Sequence, residues 1–261
     1  MRRFVIIFVA LLLSACAASI KPEPAPPQDV IGTLEQRLPA PSSVRIQAKV
    51  DYFDDAKRER VVGRDFVISA QEPANLRVTL SSFGKALSTM VAIDKQFWLI
   101  DTMQNIYAEG VASAENISQI LPLYLSAVDL YEVLVGNYPS TDLAEDWRER
   151  QSFSWDGKVG AYVLVQEKRN AQQQRVYYSY PDKHIIRIEF IENEEIIYQY
   201  EAKEFVKNGD LRAYPKLITF FIPQKRIELR IRVQKRDDNI EFKPQVFSLP
   251  RPQGVRHIIM P

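Results

Sequence analysis

Val44-Arg45-Ile46-Gln47-Ala48-Lys49-Val50-Asp51-Tyr52 alternates apolar and polar residues without a break. Successive side chains of an extended chain point to opposite faces, so a period of two describes a long, half-buried β-strand. The spacing recurs downstream. Phe66, Ile68 and Ala70 make a second strand after a turn at Asp54-Asp55, and Leu76, Val78 and Leu80 a third. Residues 87–93, 97–100 and 106–108 continue the series, and further alternations lie between Ser152 and Val233. In the last of them Ile227, Leu229, Ile231 and Val233 face one way, opposite Glu228, Arg230 and Arg232. Short connections between successive strands favour an antiparallel meander. The expected fold is mostly β, one curved antiparallel sheet of about eleven strands, rather than alternating βαβ units.

Two helical patches interrupt the alternation. Ile117, Ile120 and Leu121 recur at i, i+3 and i+4, with Ser113 placed to cap them. Ala127, Leu130, Tyr131 and Leu134 repeat the spacing, and Gly136 stops the helix. A further short helix is expected over residues 29–38, with Asp29 as its cap and Val30, Ile31, Leu34 and Leu38 on one side.

The N-terminus has a different character. Met1-Arg2-Arg3 is a positive head, followed by ten apolar residues from Phe4 to Leu13. Ten residues rise only about 15 Å as a helix, half of a bilayer core of about 30 Å, so the segment reads as a secretory leader rather than a membrane span. It closes with Leu13-Ser14-Ala15-Cys16, which resembles the bacterial lipobox, and Cys16 is the only cysteine in the chain. That resemblance implies cleavage after residue 15 and acylation of Cys16. A single acyl chain binds a membrane marginally and several bind it firmly. Ala17 and Ala18 follow where an Asp at the first position would retain a lipoprotein in the inner membrane, so the expected location is the outer membrane, with the body facing the periplasm. Pro22, Pro24, Pro26 and Pro27 make residues 16–28 a semi-rigid stalk of polyproline type, and residues 29–261 form the body.

Composition narrows the function. The 261 residues carry 34 Lys+Arg against 33 Asp+Glu, a balance that argues against a dedicated nucleic-acid binder. Removing residues 1–15 takes two arginines with it and turns the formal charge from +1 to −1, so no electrostatic attraction to an anionic membrane is expected of the body. With 2 His and 1 Cys there is no zinc-ligand spacing, and the Gly-x-Ser-x-Gly elbow of serine hydrolases is absent. His184 and His257 read as surface residues. The acid pairs Asp54-Asp55, Glu194-Glu195 and Asp237-Asp238 read as solvated turns, not as a general acid and base. The basic strip Arg226, Arg230, Arg232, Lys235 and Arg236 reads as the solvent face of a strand. No catalytic residue, no metal and no cofactor beyond the lipid on Cys16 is expected.

At Leu76-Arg77-Val78-Thr79-Leu80-Ser81-Ser82-Phe83-Gly84-Lys85-Ala86-Leu87-Ser88 a strand ends in a polar-polar-apolar-Gly turn and the next begins at once. A strand ending Leu99-Ile100-Asp101, a strand with Tyr107 and the helix pair up to Val135-Gly136 follow. This order, with the lipobox, resembles the LolA/LolB lipoprotein-carrier family, on its membrane-anchored side, over about Ser42 to Pro139. The resemblance implies an incomplete, half-open antiparallel barrel lidded by helices, with acyl chains of lipids or lipoproteins received on its apolar concave face. It also implies a periplasmic carrier protein as a further partner. Ile117, Ile120, Leu121, Leu130, Tyr131 and Leu134 would then line a lid or cavity; on periodicity alone a packed core is the commoner reading of such stripes. Phe83 resembles the exposed apolar loop residue that meets the bilayer, and a buried turn residue is the alternative. Ser82 stands where that family commonly shows Pro. Two functions follow: an acyl-chain carrier that transfers or inserts its cargo at the outer membrane, or a non-catalytic adaptor lipoprotein of an envelope complex built on the same fold.

Overall fold

The structure is a computed structural model and describes residues 20–24, 32, 38–72, 75–118, 123–140, 150–167 and 172–261. The leader, Cys16, most of the expected stalk and of the helix at 29–38, and Ile120 and Leu121 lie outside the described residues.

The first half of the chain builds β1 (Ser43–Asp54), β2 (Glu59–Gln71), β3 (Asn75–Ser82), β4 (Lys85–Ile93), β5 (Gln96–Asp101) and β6 (Ile106–Val111) as consecutive hairpins. Helices α1 (Ala114–Ser118) and α2 (Ala127–Leu134) follow. The second half supplies β7 (Ser152–Asp156), β8 (Ala161–Glu167), β9 (Gln173–Tyr178), β10 (Ile185–Glu192), β11 (Glu195–Asn208), β12 (Leu211–Ile222), β13 (Ile227–Asp238) and β14 (Arg256–Ile259). All fourteen join one sheet in the order β14-β6-β5-β4-β3-β2-β1-β13-β12-β11-β10-β9-β8-β7. The sheet is not closed: β14 and β7 are edges with one neighbour each. The two halves meet where β1 pairs with β13, Val50 opposite Ile231 and Tyr52 opposite Leu229.

The alternation does what the sequence requires of it. Ile46 faces Ile68 and Ala48 faces Phe66 across β1 and β2, and all four are buried on one face. That face continues through Val78, Met90, Leu99, Tyr162, Val176, Ile188, Phe220 and Ile231 as a single core, into which α2 inserts Leu130, Tyr131 and Leu134. Ser126 caps α2 by accepting from the Asp129 N–H at 3.1 Å, and Ser113 caps α1 by accepting from the Asn116 N–H at 3.2 Å. Gly136, at φ +86°, ends α2 as expected.

Four expectations are corrected. The sheet is mixed and larger than about eleven strands, because β14 runs parallel to β6. Its approach needs a glycine: a Cβ on Gly110 would stand 2.6 Å from the Met260 carbonyl oxygen. Second, the strip ending at Arg236 is not all solvent-facing. A bulge in β13 opposite Gln47/Ala48 reverses the alternation, so Ile46 pairs with Arg236 while Ala48 pairs with Val233. Arg236 turns inward, donates to the Leu134 carbonyl at 2.9 Å and pairs with Asp238 at 2.9 Å. A guanidinium there neutralises the C-terminal end of α2. Third, Asp54 is buried rather than a solvated turn residue, accepting from the Lys57 N–H at 3.0 Å and the Tyr52 hydroxyl at 3.2 Å. The Lys57 amide, more than any other partner, holds its carboxyl below the usual range. Fourth, Asp237 and Asp238 close strand β13 instead of forming a turn.

Candidate functional site: an apolar interior between two unlike rims

Hairpin connections alternate between the two ends of an antiparallel sheet, so the turns sort into two rims. One rim carries the turns after β2, β4, β7, β9 and β11, and the other those after β1, β3, β5, β10 and β12. We call them the first and second rims.

At the first rim lies a cavity of about 400 Å³, within the usual range of ligand sites. Tyr200, Phe205, Ile185 and Leu38 give it apolar walls, and Asp182, Lys183, His184 and Arg212 stand at its edge. Phe205 reaches it because Glu204, at φ +58°, breaks the parity of β11: Tyr198, Tyr200 and Ala202 point inward before the break and Phe205 after it. His184 stacks on Phe205 with ring centroids 4.3 Å apart, so it is half-buried and not the free surface residue expected. Arg212 donates to the Leu38 carbonyl at 2.7 Å and to Asn137, tying the chain before β1 to the end of α2. Burial lifts the Glu132 carboxyl beside them above its ordinary value, against the opposing bond from Asn137. His257 is exposed, on β14, against Glu109 at 2.9 Å and Arg251 at 3.0 Å.

The residues singled out as a lid sit deep. Ile117, Leu130 and Leu134 are 0 to 2% exposed and Tyr131 5%, so the helical stripe is packed against the sheet. Polar atoms interrupt the inner face in one cross-strand row. Gln166 opposes Gln174, Gln174 opposes Phe190, and Phe190 opposes Tyr198. Gln174 donates to Gln166 at 3.0 Å and to the Pro139 carbonyl at 2.9 Å. Gln166 Nε2, Gln174 Oε1 and the Tyr198 hydroxyl are buried with no hydrogen-bond partner among the described residues, a costly arrangement in an apolar interior. The alternation of the sequence singles out neither glutamine, because Gln166 and Gln174 meet only once β8 and β9 pair.

The second rim is the more exposed. Phe83 is 97% exposed at the tip of the β3–β4 hairpin, and Met103, 76% exposed, tips the β5–β6 hairpin. Ser82 pairs with Lys85, leaving Phe83 and Gly84 as a two-residue loop at φ +49° and +76°. Such a loop asks for Asn or Gly at both places, and the β10–β11 loop duly has Asn193 at the first. A bulky residue there is strained and faces only water. Exposed Lys57, Arg58, Arg60, Lys85, Lys225 and Arg226 share this rim with exposed Asp55, Glu59, Glu192, Glu194 and Glu195. Charges of both signs therefore surround the apolar tips.

Among the described residues there is no group of three or more His, Cys, Asp or Glu able to hold a metal, and no helix is long and apolar enough to cross a membrane.

The fold has solved relatives in kind. A putative outer membrane lipoprotein-sorting protein domain from Vibrio parahaemolyticus superposes with a TM-score of 0.56 at 11% identity, covering 79% of this chain and 89% of that one. A LolA superfamily protein from Nitrosomonas europaea gives 0.56 at 10% identity, over 83% and 94%. A DUF1329 family protein from Desulfovibrio piger gives 0.56 at 8% identity, over 83% and 92%. The chain therefore has the LolA-like fold. No family model and no curated protein matches its sequence.

Proposed function

We propose that this chain is a non-catalytic lipoprotein, acylated on Cys16 and anchored in the outer membrane, that takes up acyl chains of lipids or lipoproteins for transfer or insertion there. The observation that carries the reading is the cavity of about 400 Å³ at the first rim, apolar in its walls and with Asp182, Lys183 and Arg212 at its edge, which suits an acyl chain with a polar head. The LolA-like fold supports it, as does the lipoprotein sorting ascribed to the Vibrio relative. Phe83, strained and exposed at a hairpin tip, suits contact with a lipid surface. The dense packing of Leu130 and Leu134 favours the alternative, a structural adaptor using the same fold.

Native mass spectrometry of the Cys16→Ser chain, with fatty-acid titration, separates the two. Co-purified lipid, or one-site binding weakened by Phe205→Glu in a folded protein, supports the carrier. A well-folded chain that takes up neither lipid nor fatty acid overturns it in favour of the adaptor.

A further inference from the structure

The segment Ile20 to Pro24, a few residues beyond Cys16, lies on the β7–β8 turn. The Lys21 N–H donates to the Gly157 carbonyl at 2.8 Å, and the Trp155 indole N–H donates to the Lys21 carbonyl at 3.0 Å. The Lys21 ammonium reaches the Val159 carbonyl at 3.2 Å. The turn beneath is shaped for this. Asp156 accepts from the N–H groups of Lys158 and Val159, and Trp155 is braced edge-on against buried Tyr162. A Cβ on Gly157 would lie 2.6 Å from Ile20 and 3.0 Å from the Lys21 carbonyl, whereas one on Gly63, Gly84, Gly209 or Gly254 would meet nothing within 4 Å. Gly157 is not among the glycines with positive φ, so its missing side chain serves the close approach rather than the backbone.

We propose that the β7–β8 turn is a docking site for the segment that follows Cys16, and that docking points the Phe83 rim away from the bilayer holding the acyl chains. The proposal rests on acylation of Cys16. Five Cα steps from Cys16 to Lys21 reach at most about 18 Å. The docking turn is on the first rim and Phe83 on the second. Strands β8 and β3, of 7 and 8 residues, separate the rims by about 25 Å along the strand. With Lys21 clipped in place, residues 22–28 lie beyond the clip and add no reach, so the expected stalk does not set the body's height. The docked body keeps its first rim toward the anchoring bilayer, and the surface that meets Phe83 approaches from the opposite side.

The test uses the full acylated chain in vesicles, with acylation checked by intact mass, and a fluorophore on either Lys158→Cys or Lys85→Cys against a lipid-borne quencher. Stronger quenching at position 158 than at 85, with the difference lost in Gly157→Val, is expected. Equal quenching, or stronger quenching at 85, overturns the proposed orientation. Docking itself is read without the anchor, by hydrogen exchange on the Cys16→Ser chain. The Lys21 amide should be protected in that chain and lose its protection when Gly157→Val is added; an amide that exchanges freely in both refutes the dock. A chain that carries no acyl group by mass refutes the acylation reading alone and leaves the exchange result standing.

Discussion

Replacing Phe83 by Glu separates a lipid-contacting tip from a packed turn residue by magnitude. The side chain is 97% exposed, so the substitution removes almost no buried area. Surface changes of this kind stay within about 0.5 kcal/mol, which for a body of this size is a shift in Tm of about 2 °C or less. A packed Phe would forfeit about 1.5–3 kcal/mol of burial and leave a carboxylate in its place, a fall of at least about 6 °C. Phe83→Asn refines the comparison, since Asn tolerates the left-handed conformation and should gain up to about 1 kcal/mol. Calorimetry gives the stability, and flotation with vesicles containing anionic lipid gives the contact. The expected pair of results is an unchanged Tm and lost flotation for Phe83→Glu, and a slightly raised Tm with equally lost flotation for Phe83→Asn. A drop of several degrees for Phe83→Glu would refute the exposed tip, and undiminished flotation would refute the lipid contact.

Leu130→Ala should cost about 2–5 kcal/mol in urea unfolding, because the residue is buried in the joint core of α2 and the sheet. Arg236→Met should cost about 3–5 kcal/mol by leaving Asp238 buried without its cation, and Arg236→Met/Asp238→Leu should recover most of it. Tyr52, Tyr131 and Tyr177 are each pushed up to about 12, burial being the largest cause. Their folded values lie above the unfolded value near 10, so their contribution is complete below about pH 10 and lost as pH rises toward 12. Phenolate absorbance should show a delayed ionisation that coincides with alkaline unfolding; ionisation at pH 10 with the fold intact would contradict the burial.

The sequence spoke plainly where one residue in two is buried. β1, β3 and the first half of β13 follow the alternation, and α2 ends at Gly136 as its spacing requires. It misled where the chain changes parity. β11 runs through a break at Glu204 to Asn208, past Tyr200 where the expected strand ends, and the bulge near Gln234 turned one arginine of the basic strip, Arg236, inward. β2 begins at Glu59, not near Phe66, because residues 59–64 project beyond β3 and lack the burial that imposes alternation. β14 has four residues and a parallel partner, too short for a periodic signal.

The candidate site was legible only in its single-residue part. Phe83 next to a glycine in a hairpin loop is a local feature, visible in four consecutive residues. The cavity draws instead on Leu38, Asn137, His184, Phe205 and Arg212, which only the finished sheet brings together. The same holds for charge. A formal charge of +1 over 261 residues says nothing about a rim. Because hairpins alternate between ends, residues 57–60, 83–85, 192–195 and 226 arrive at one rim from four turns, while Gly157 arrives at the other. A sheet that receives residues 20–24 at one end and carries its strained apolar tip at the other has two unlike ends, and their difference follows from strand order rather than from any motif.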